Sequence, residues 1–192
     1  MIALLFASLL SVPAQLSLGS GSKLTLEGDS SMHAWSCKAS ALEGTGEAAS
    51  LGAVASSVSS FELDLPVARI ECGNDTMDGK LRDALKASRF PRIAFKVSSV
   101  ASLPAAEGGT QKLKLSGRVE VAGVQKNVTA VVTVTPGPGN VVRAVASVPL
   151  KMTDFGVEPP SAMLGLLTTK DRIIVRVELE VVARGAAVHA AR

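Results

Sequence analysis

Apolar and polar side chains alternate one by one along most of the chain. Between Lys112 and Val121, leucine, glycine and valine occupy the odd positions, and lysine, serine, arginine and glutamate occupy the even ones. A period of two is typical of a β-strand that buries one face and exposes the other. The same alternation predicts strands at residues 23–27, 61–67, 93–98, 127–134, 141–150 and 173–181. A further strand around Ala34 to Glu47 brings the total to roughly eight.

Short connections join several of these predicted strands. Residues 121–124 read Val-Ala-Gly-Val, which suits a tight hairpin, and residues 136–140 form the turn-rich run Pro-Gly-Pro-Gly-Asn. Strands joined in this way take an up-and-down antiparallel order. A sheet with one apolar face must cover that face, and closure into a barrel both covers it and removes the edges. The pattern therefore predicts an all-β fold, an antiparallel barrel of about eight strands.

One segment departs from the alternation and predicts a short helix around residues 75–87. Its apolar side chains fall on one helical stripe, formed by Met77, Leu81, Ala84 and Leu85. Asn74 or Asp75 can cap its start, and Pro91 stops it. We expect this helix to plug one end of the barrel.

The N-terminus has the pattern of a targeting segment. Residues 2–12 are almost purely apolar, and this run is too short for a bilayer, which needs about 20 residues. It fits the apolar part of a secretory signal peptide, although no Lys or Arg precedes it. Val12 and Ala14 supply small residues that place cleavage after Ala14, so residues 1–14 are predicted to be removed. The alternative is a buried N-terminal helix.

Export predicts a periplasmic or secreted protein with no stable membrane insertion once the signal is removed. The other end of the chain, residues 184–192, is rich in alanine and is predicted to be a frayed tail. An oxidising compartment also favours a disulfide between the two cysteines, Cys37 and Cys72. The alternative is two separate buried thiols. No Cys-x-x-Cys pair is present, so redox catalysis is not expected.

Composition excludes several classes of function. Aromatic residues make up only 3% of the chain, which argues against a protein that stacks on single-stranded nucleic acid. The formal net charge of +3 is too small to indicate a nucleic-acid or anionic-membrane partner. The sequence has two histidines, no Gly-x-Ser-x-Gly elbow and no dinucleotide loop. We therefore expect neither catalysis nor a cofactor.

His33, Trp35 and Cys37 stand at every second position of a predicted strand and so share one face. Histidine and cysteine together could bind a soft metal, but no third ligand is visible. The favoured interpretation is that Trp35 packs in the core, Cys37 is bridged and His33 bonds nearby backbone. No metal site is predicted.

Several segments resemble the YceI-like family of bacterial exported proteins, a lipid- or polyisoprenoid-binding domain. The segments are 31–37 (Ser-Met-His-Ala-Trp-Ser-Cys), 70–73 (Ile-Glu-Cys-Gly) with Met77 and 84–87, 90–95 (Phe-Pro-Arg-Ile-Ala-Phe), 115–117 with 123–126, and 153–165 with Asp171. They occur in the family's order across residues 22–183. One departure is Ala34, which stands where the family has an acidic residue between His and Trp, so a role built on a His-Asp pair does not carry over.

The resemblance implies an eight-stranded, lipocalin-like antiparallel barrel whose apolar interior holds an isoprenoid or fatty-acid-like chain. The inward residues of the predicted strands are then the candidate ligand contacts, namely Phe61, Leu63, Ile93, Phe95, Leu115, Val132 and Val175. The loop 159–167 is a candidate lid, which adds Met163 and Leu164 to the contacts. Two alternatives remain open. One is a structural or stress-related envelope domain with a filled barrel that binds a protein partner, and the other is an enzyme or metal protein that uses His33.

Overall fold

The computed structural model describes residues 13–49, 58–104, 110–162 and 167–185. One helix, α1, spans Asp75–Ala84. Strands β1 to β12 cover, in order, Ala14–Leu18, Lys23–Ser30, Ala34–Ala39, Glu43–Ala48, Val58–Pro66, Ile70–Glu71, Arg92–Ser102, Gln111–Val121, Val124–Pro136, Val141–Lys151, Ser161–Ala162 and Leu167–Gly185. Single 3-10 turns lie at Val67–Arg69 and Thr153–Phe155.

The sheet closes on itself through its longest strand, β12. The first half of β12 pairs with β2 and its last residues pair with β1, while β3 pairs with β2 and β4 pairs with β1. The consecutive strands β1 and β2 therefore act as one bent strand of the barrel. The consecutive strands β3 and β4 do the same. Together with β5, β7, β8, β9, β10 and β12, they form a closed eight-stranded antiparallel barrel. This confirms the predicted fold class.

The strand boundaries differ from the sequence prediction in several places, including the predicted lid loop 159–167, where Ser161–Ala162 forms β11 and β12 begins at Leu167. The single strand expected around Ala34 to Glu47 is two strands, because the chain bends between β3 and β4 to follow the two halves of the barrel. Strand β1 had no counterpart in the prediction. Arg184 and Gly185, expected in the tail, lie in β12 because they pair with Gln15 and Ala14 of β1. The remaining tail, 186–192, and the predicted signal segment up to residue 12 lie outside the described residues.

Helix α1 covers the barrel end at which the β8–β9 hairpin lies. The side chain of Asn74 accepts a hydrogen bond from the Met77 backbone N–H at 3.0 Å, so the predicted cap is present. The apolar stripe packs on the larger buried cluster, which includes Leu65, Val67 and Ile70. A second cluster, built around Leu16, Phe61, Leu63 and Val181, occupies the other half of the barrel.

Candidate functional site

The barrel encloses a cavity of about 490 Å³. This volume lies within the range of about 300–1,000 Å³ that is typical of ligand sites. The lining is mostly leucine, valine, isoleucine and alanine from the inward faces of the alternating strands. The interior is therefore open and apolar.

The structure places all seven predicted barrel contacts on this cavity wall: Phe61, Leu63, Ile93, Phe95, Leu115, Val132 and Val175. These side chains converge because the register between neighbouring strands places them on the same, inward face of the sheet. Leu63 pairs with Phe95 across β5 and β7, for example, which puts both side chains on the same face. Met163 and Leu164 of the predicted lid lie outside the described residues. Whether any of these side chains holds a ligand remains a prediction.

Two interior aromatic rings lie flat against the wall because glycines stand beneath them. The Trp35 indole covers its cross-strand partner Gly28, and the Phe95 ring covers Gly117, so a Cβ added at either glycine would overlap the ring. The rings therefore extend along the wall and not across the cavity. We did not anticipate this arrangement, although a glycine within an alternating strand was its visible signal.

His33, Trp35 and Cys37 all line the cavity, so they share one face as their spacing predicted. The predicted disulfide is confirmed, since Cys37 is bonded to Cys72 with their Cα atoms 4.0 Å apart. His33 Nδ1 lies 2.9 Å from the Ala34 carbonyl oxygen, so this nitrogen donates to backbone. The Trp35 indole packs against the larger cluster, and its Nε1 has no hydrogen-bond partner among the described residues. The described part of the chain contains no group of three or more residues suited to hold a metal.

The polar residues of the lining cluster at the end covered by α1, which we call the mouth. They are Ser30, His33, Lys80, Lys151, Ser161, Thr168 and Thr169. Among the described residues that line the cavity, none is an aspartate or glutamate. The lysines were missed in the sequence. A signal was available for Lys80, because it follows Met77 by three residues and precedes Ala84 by four, which places all three on one side of the helix.

A carboxylate beside the mouth fixes the turn that follows β10. Asp171 accepts hydrogen bonds from the backbone N–H of Thr153 at 2.9 Å and from the Thr153 hydroxyl at 2.8 Å. These bonds, with a smaller contribution from the charge of Lys151, lower the pKa of Asp171. A lowered pKa means that the contact is complete near neutral pH and is lost as the pH falls through that pKa. The turn carries Phe155, which is buried and lines the cavity.

Comparison with known proteins gives one family and a consistent fold. A family model described as the YceI-like domain matches residues 20–181. The structure is similar to that of BcnA from Burkholderia cenocepacia, with a TM-score of 0.67, 18% identity, and coverage of 85% of this chain and 98% of that one. It is similar to a polyisoprenoid binding domain from Saccharophagus degradans implicated in plant cell wall breakdown, with a TM-score of 0.67, 16% identity, and coverage of 88% and 98%.

A weaker likeness is to the Campylobacter jejuni YceI protein, with a TM-score of 0.51, 20% identity, and coverage of 64% of this chain and 71% of that one. At these identities the solved structures show a shared fold. No curated protein sequence matches the chain. Within the described ranges, no helix has the length and apolar character needed to cross a bilayer.

Proposed function

This chain belongs to the YceI-like family, and from that premise we propose that it is an exported, non-catalytic protein that holds an apolar chain inside its barrel. The ligand class is a polyisoprenoid or a fatty-acid-like lipid. The observation that carries the proposal is the open apolar cavity of about 490 Å³. The Saccharophagus degradans domain, which shares the fold, is described as polyisoprenoid binding, and this supports the same ligand class here.

The hydrophobic effect alone supplies enough affinity for such a ligand. Burying one CH₂ group contributes about 0.8 kcal/mol, so a chain of about ten carbons gains roughly 8 kcal/mol before the entropic costs of association. No specific polar contact is needed along the chain. This accounts for a lining made almost wholly of aliphatic side chains.

The cavity also separates this proposal from the alternatives. A structural domain with a filled barrel would have no use for an empty apolar interior, because such space costs stability. An enzyme built on a His-Asp pair at His33 would need a carboxylate beside the imidazole. Here Nδ1 is bonded to the Ala34 carbonyl, and Ala34 itself replaces the acidic residue expected from the family motif.

Export is part of the proposal. Disulfides persist in oxidising compartments and are rare in the cytosol, so the Cys37–Cys72 bond supports a periplasmic or secreted location. The apolar N-terminal run and the small residues Val12 and Ala14 supply the signal and its cleavage position. We place the mature N-terminus at Gln15.

The test fills the cavity and leaves the outer surface as a control. Val132 lines the cavity, whereas its neighbour Val131 is 52% exposed on the outer face of the same strand. We expect Val132→Trp to lose the lipid that copurifies with the wild-type protein, and Val131→Trp to retain it. The measurement is mass spectrometry of an organic extract, with a thermal melt to establish that each variant is folded.

Wild-type amounts of lipid in folded Val132→Trp would show that the barrel interior is not the binding site. Loss of lipid from both variants would point to the outer surface. Leu63→Trp, in β5, provides a second cavity-filling variant.

A further inference from the structure

We propose that the mouth of the cavity selects ligands with an anionic head group, a carboxylate or a phosphate, and that Lys80 is its principal contact. The inference rests on the proposed function, because the apolar chain must occupy the barrel for its head to reach the mouth. It assigns a negative charge to the head group of the ligand, which the aliphatic wall does not contact.

The first argument is the balance of charge at the mouth. The described lining contains two lysines and one histidine and no carboxylate. Six basic side chains on the described barrel strands form ion pairs, such as Lys96 with Glu62 and Arg176 with Glu27. Within the described ranges, neither Lys80 nor Lys151 forms such an ion pair. A site with unpaired positive charge and no negative lining favours an anion.

The second argument is the position of Lys80 on helix α1. Met77, Leu81 and Ala84 line the cavity, and Lys80 lies on the same side of the helix. Lys80 is nevertheless exposed to solvent. A lysine in this setting lays its aliphatic stem along apolar surface and keeps the ammonium in water. The ammonium is then within reach of a head group that emerges at the mouth.

Two carboxylates near these lysines in the chain or the fold are bonded to other groups. Asp78, two residues before Lys80, accepts the Cys72 backbone N–H at 2.6 Å. Asp171, whose pKa is lowered in part by the charge of Lys151, has its two oxygens bonded to Thr153. Lys151 is therefore partly compensated, which leaves Lys80 as the stronger candidate. Thr168 and Thr169 add hydroxyls to the same rim.

The experiment compares three probes that share one chain of sixteen carbons: hexadecanoate, hexadecyl phosphate and hexadecan-1-ol. Binding to the delipidated full-length protein is followed by calorimetry and by the fluorescence of Trp35, the only tryptophan in the chain. The variant is Lys80→Gln. Its control is Lys38→Gln, an exposed lysine of β3 that does not line the cavity. Acetate and inorganic phosphate serve as chainless anions.

We expect Lys80→Gln to raise the Kd of hexadecanoate and of hexadecyl phosphate about tenfold, which is about 1.4 kcal/mol. The Kd of hexadecan-1-ol should change less than about twofold, because its head carries no charge. Lys38→Gln should leave all three unchanged. Millimolar acetate or phosphate should not displace hexadecanoate, since the chain supplies most of the affinity.

Other results would overturn the inference. Equal losses for the alcohol and the two anions would mean that Lys80 acts through packing. No loss for the anions would mean that it does not contact the head. Displacement by acetate or phosphate would indicate a site for free anions and not for a lipid head. Equal binding of all three probes by the wild-type protein would show that the mouth does not select for charge, and the proposed function would still hold. Binding of none of the probes would contradict both the inference and the proposed function.

Discussion

Trp35 depends on the residue across from it, Gly28. The two are paired between β2 and β3, and the indole occupies the space that a side chain at position 28 would take. The indole Nε1 is buried and has no hydrogen-bond partner within the described ranges, so packing against those residues holds the ring. A single methyl group at position 28 is therefore enough to displace it.

We expect Gly28→Ala to push the indole towards the cavity and to reduce the affinity for a hexadecyl chain about tenfold. The atoms that the new Cβ would meet first all belong to the Trp35 ring, so the ring is what must move. Overpacking of this kind costs about 1–3 kcal/mol of stability. A shift in tryptophan fluorescence in the free protein reports the displaced ring, and a titration reports the affinity.

Gly79→Ala is the matched control, because it makes the same change in helix α1 where a Cβ would meet nothing within 4 Å. Replacing glycine by alanine inside a helix should stabilise the protein by about 0.5–1 kcal/mol. Unchanged fluorescence and affinity in Gly28→Ala would show that the ring can relax without entering the cavity.

Little strand pairing connects helix α1 to the barrel. The chain before it pairs with β3 only through Lys38–Glu71 and Ala39–Ile70. The disulfide joins the same two segments, from Cys37 in β3 to Cys72 just before the helix. The bond therefore holds one side of the mouth in place.

Removing the disulfide should loosen this end of the barrel more than the other. For the double variant Cys37→Ala, Cys72→Ala, the sequence separation of 35 residues predicts a loss of about 4 kcal/mol in the free energy of unfolding. Urea unfolding measures the loss. Hydrogen exchange should rise in α1 and β6 while β1 and β4, in the other half of the barrel, keep their protection; uniform exchange across both regions would contradict a local role for the bond.

Regular alternation made most strands predictable, and long-range pairing explains the rest. Strand β8 alternates without interruption, and the hairpin at Ala122 and Gly123 is visible as a turn, where both residues have positive φ angles. The bends that split β1 from β2 and β3 from β4 depend on how each half pairs with residues of β12, β2 or β1. No local pattern encodes such a register.

The candidate site also has a part that the sequence predicts and a part that it does not. The wall residues followed from the alternation, because inward positions of a closed barrel must converge. The mouth residues could not be predicted in this way. Lys80 is an ordinary charged residue in the sequence, and its role depends on the helix packing with Met77 and Ala84 on the cavity. The disulfide was predictable from the cysteine count and the predicted export, although its place beside the mouth was not.

At the scale of the whole molecule, closure of one half of the barrel depends on the short strand β1. Strand β1 lies between β4 and β12, and Leu16 pairs with Gly46 on one side and with Ala183 on the other. Leu16 is only 3% exposed and lines the cavity. Without β1, the facing edges of β4 and β12 would be unpaired and the cavity would open sideways.

The proposed cleavage position can therefore be tested against the fold. A chain that starts at Gln15 keeps Leu16 and should unfold cooperatively, whereas a chain that starts at Gly19 loses all of β1. Deleting a buried leucine alone costs about 2–5 kcal/mol, and two exposed strand edges promote association. We expect the Gly19 variant to lose at least that much stability in urea, to elute as oligomers in size-exclusion chromatography and to carry no lipid. Equal stability of the two truncated chains would show that β1 is not needed for closure, and an exported protein whose mass includes Met1 would contradict cleavage after Ala14.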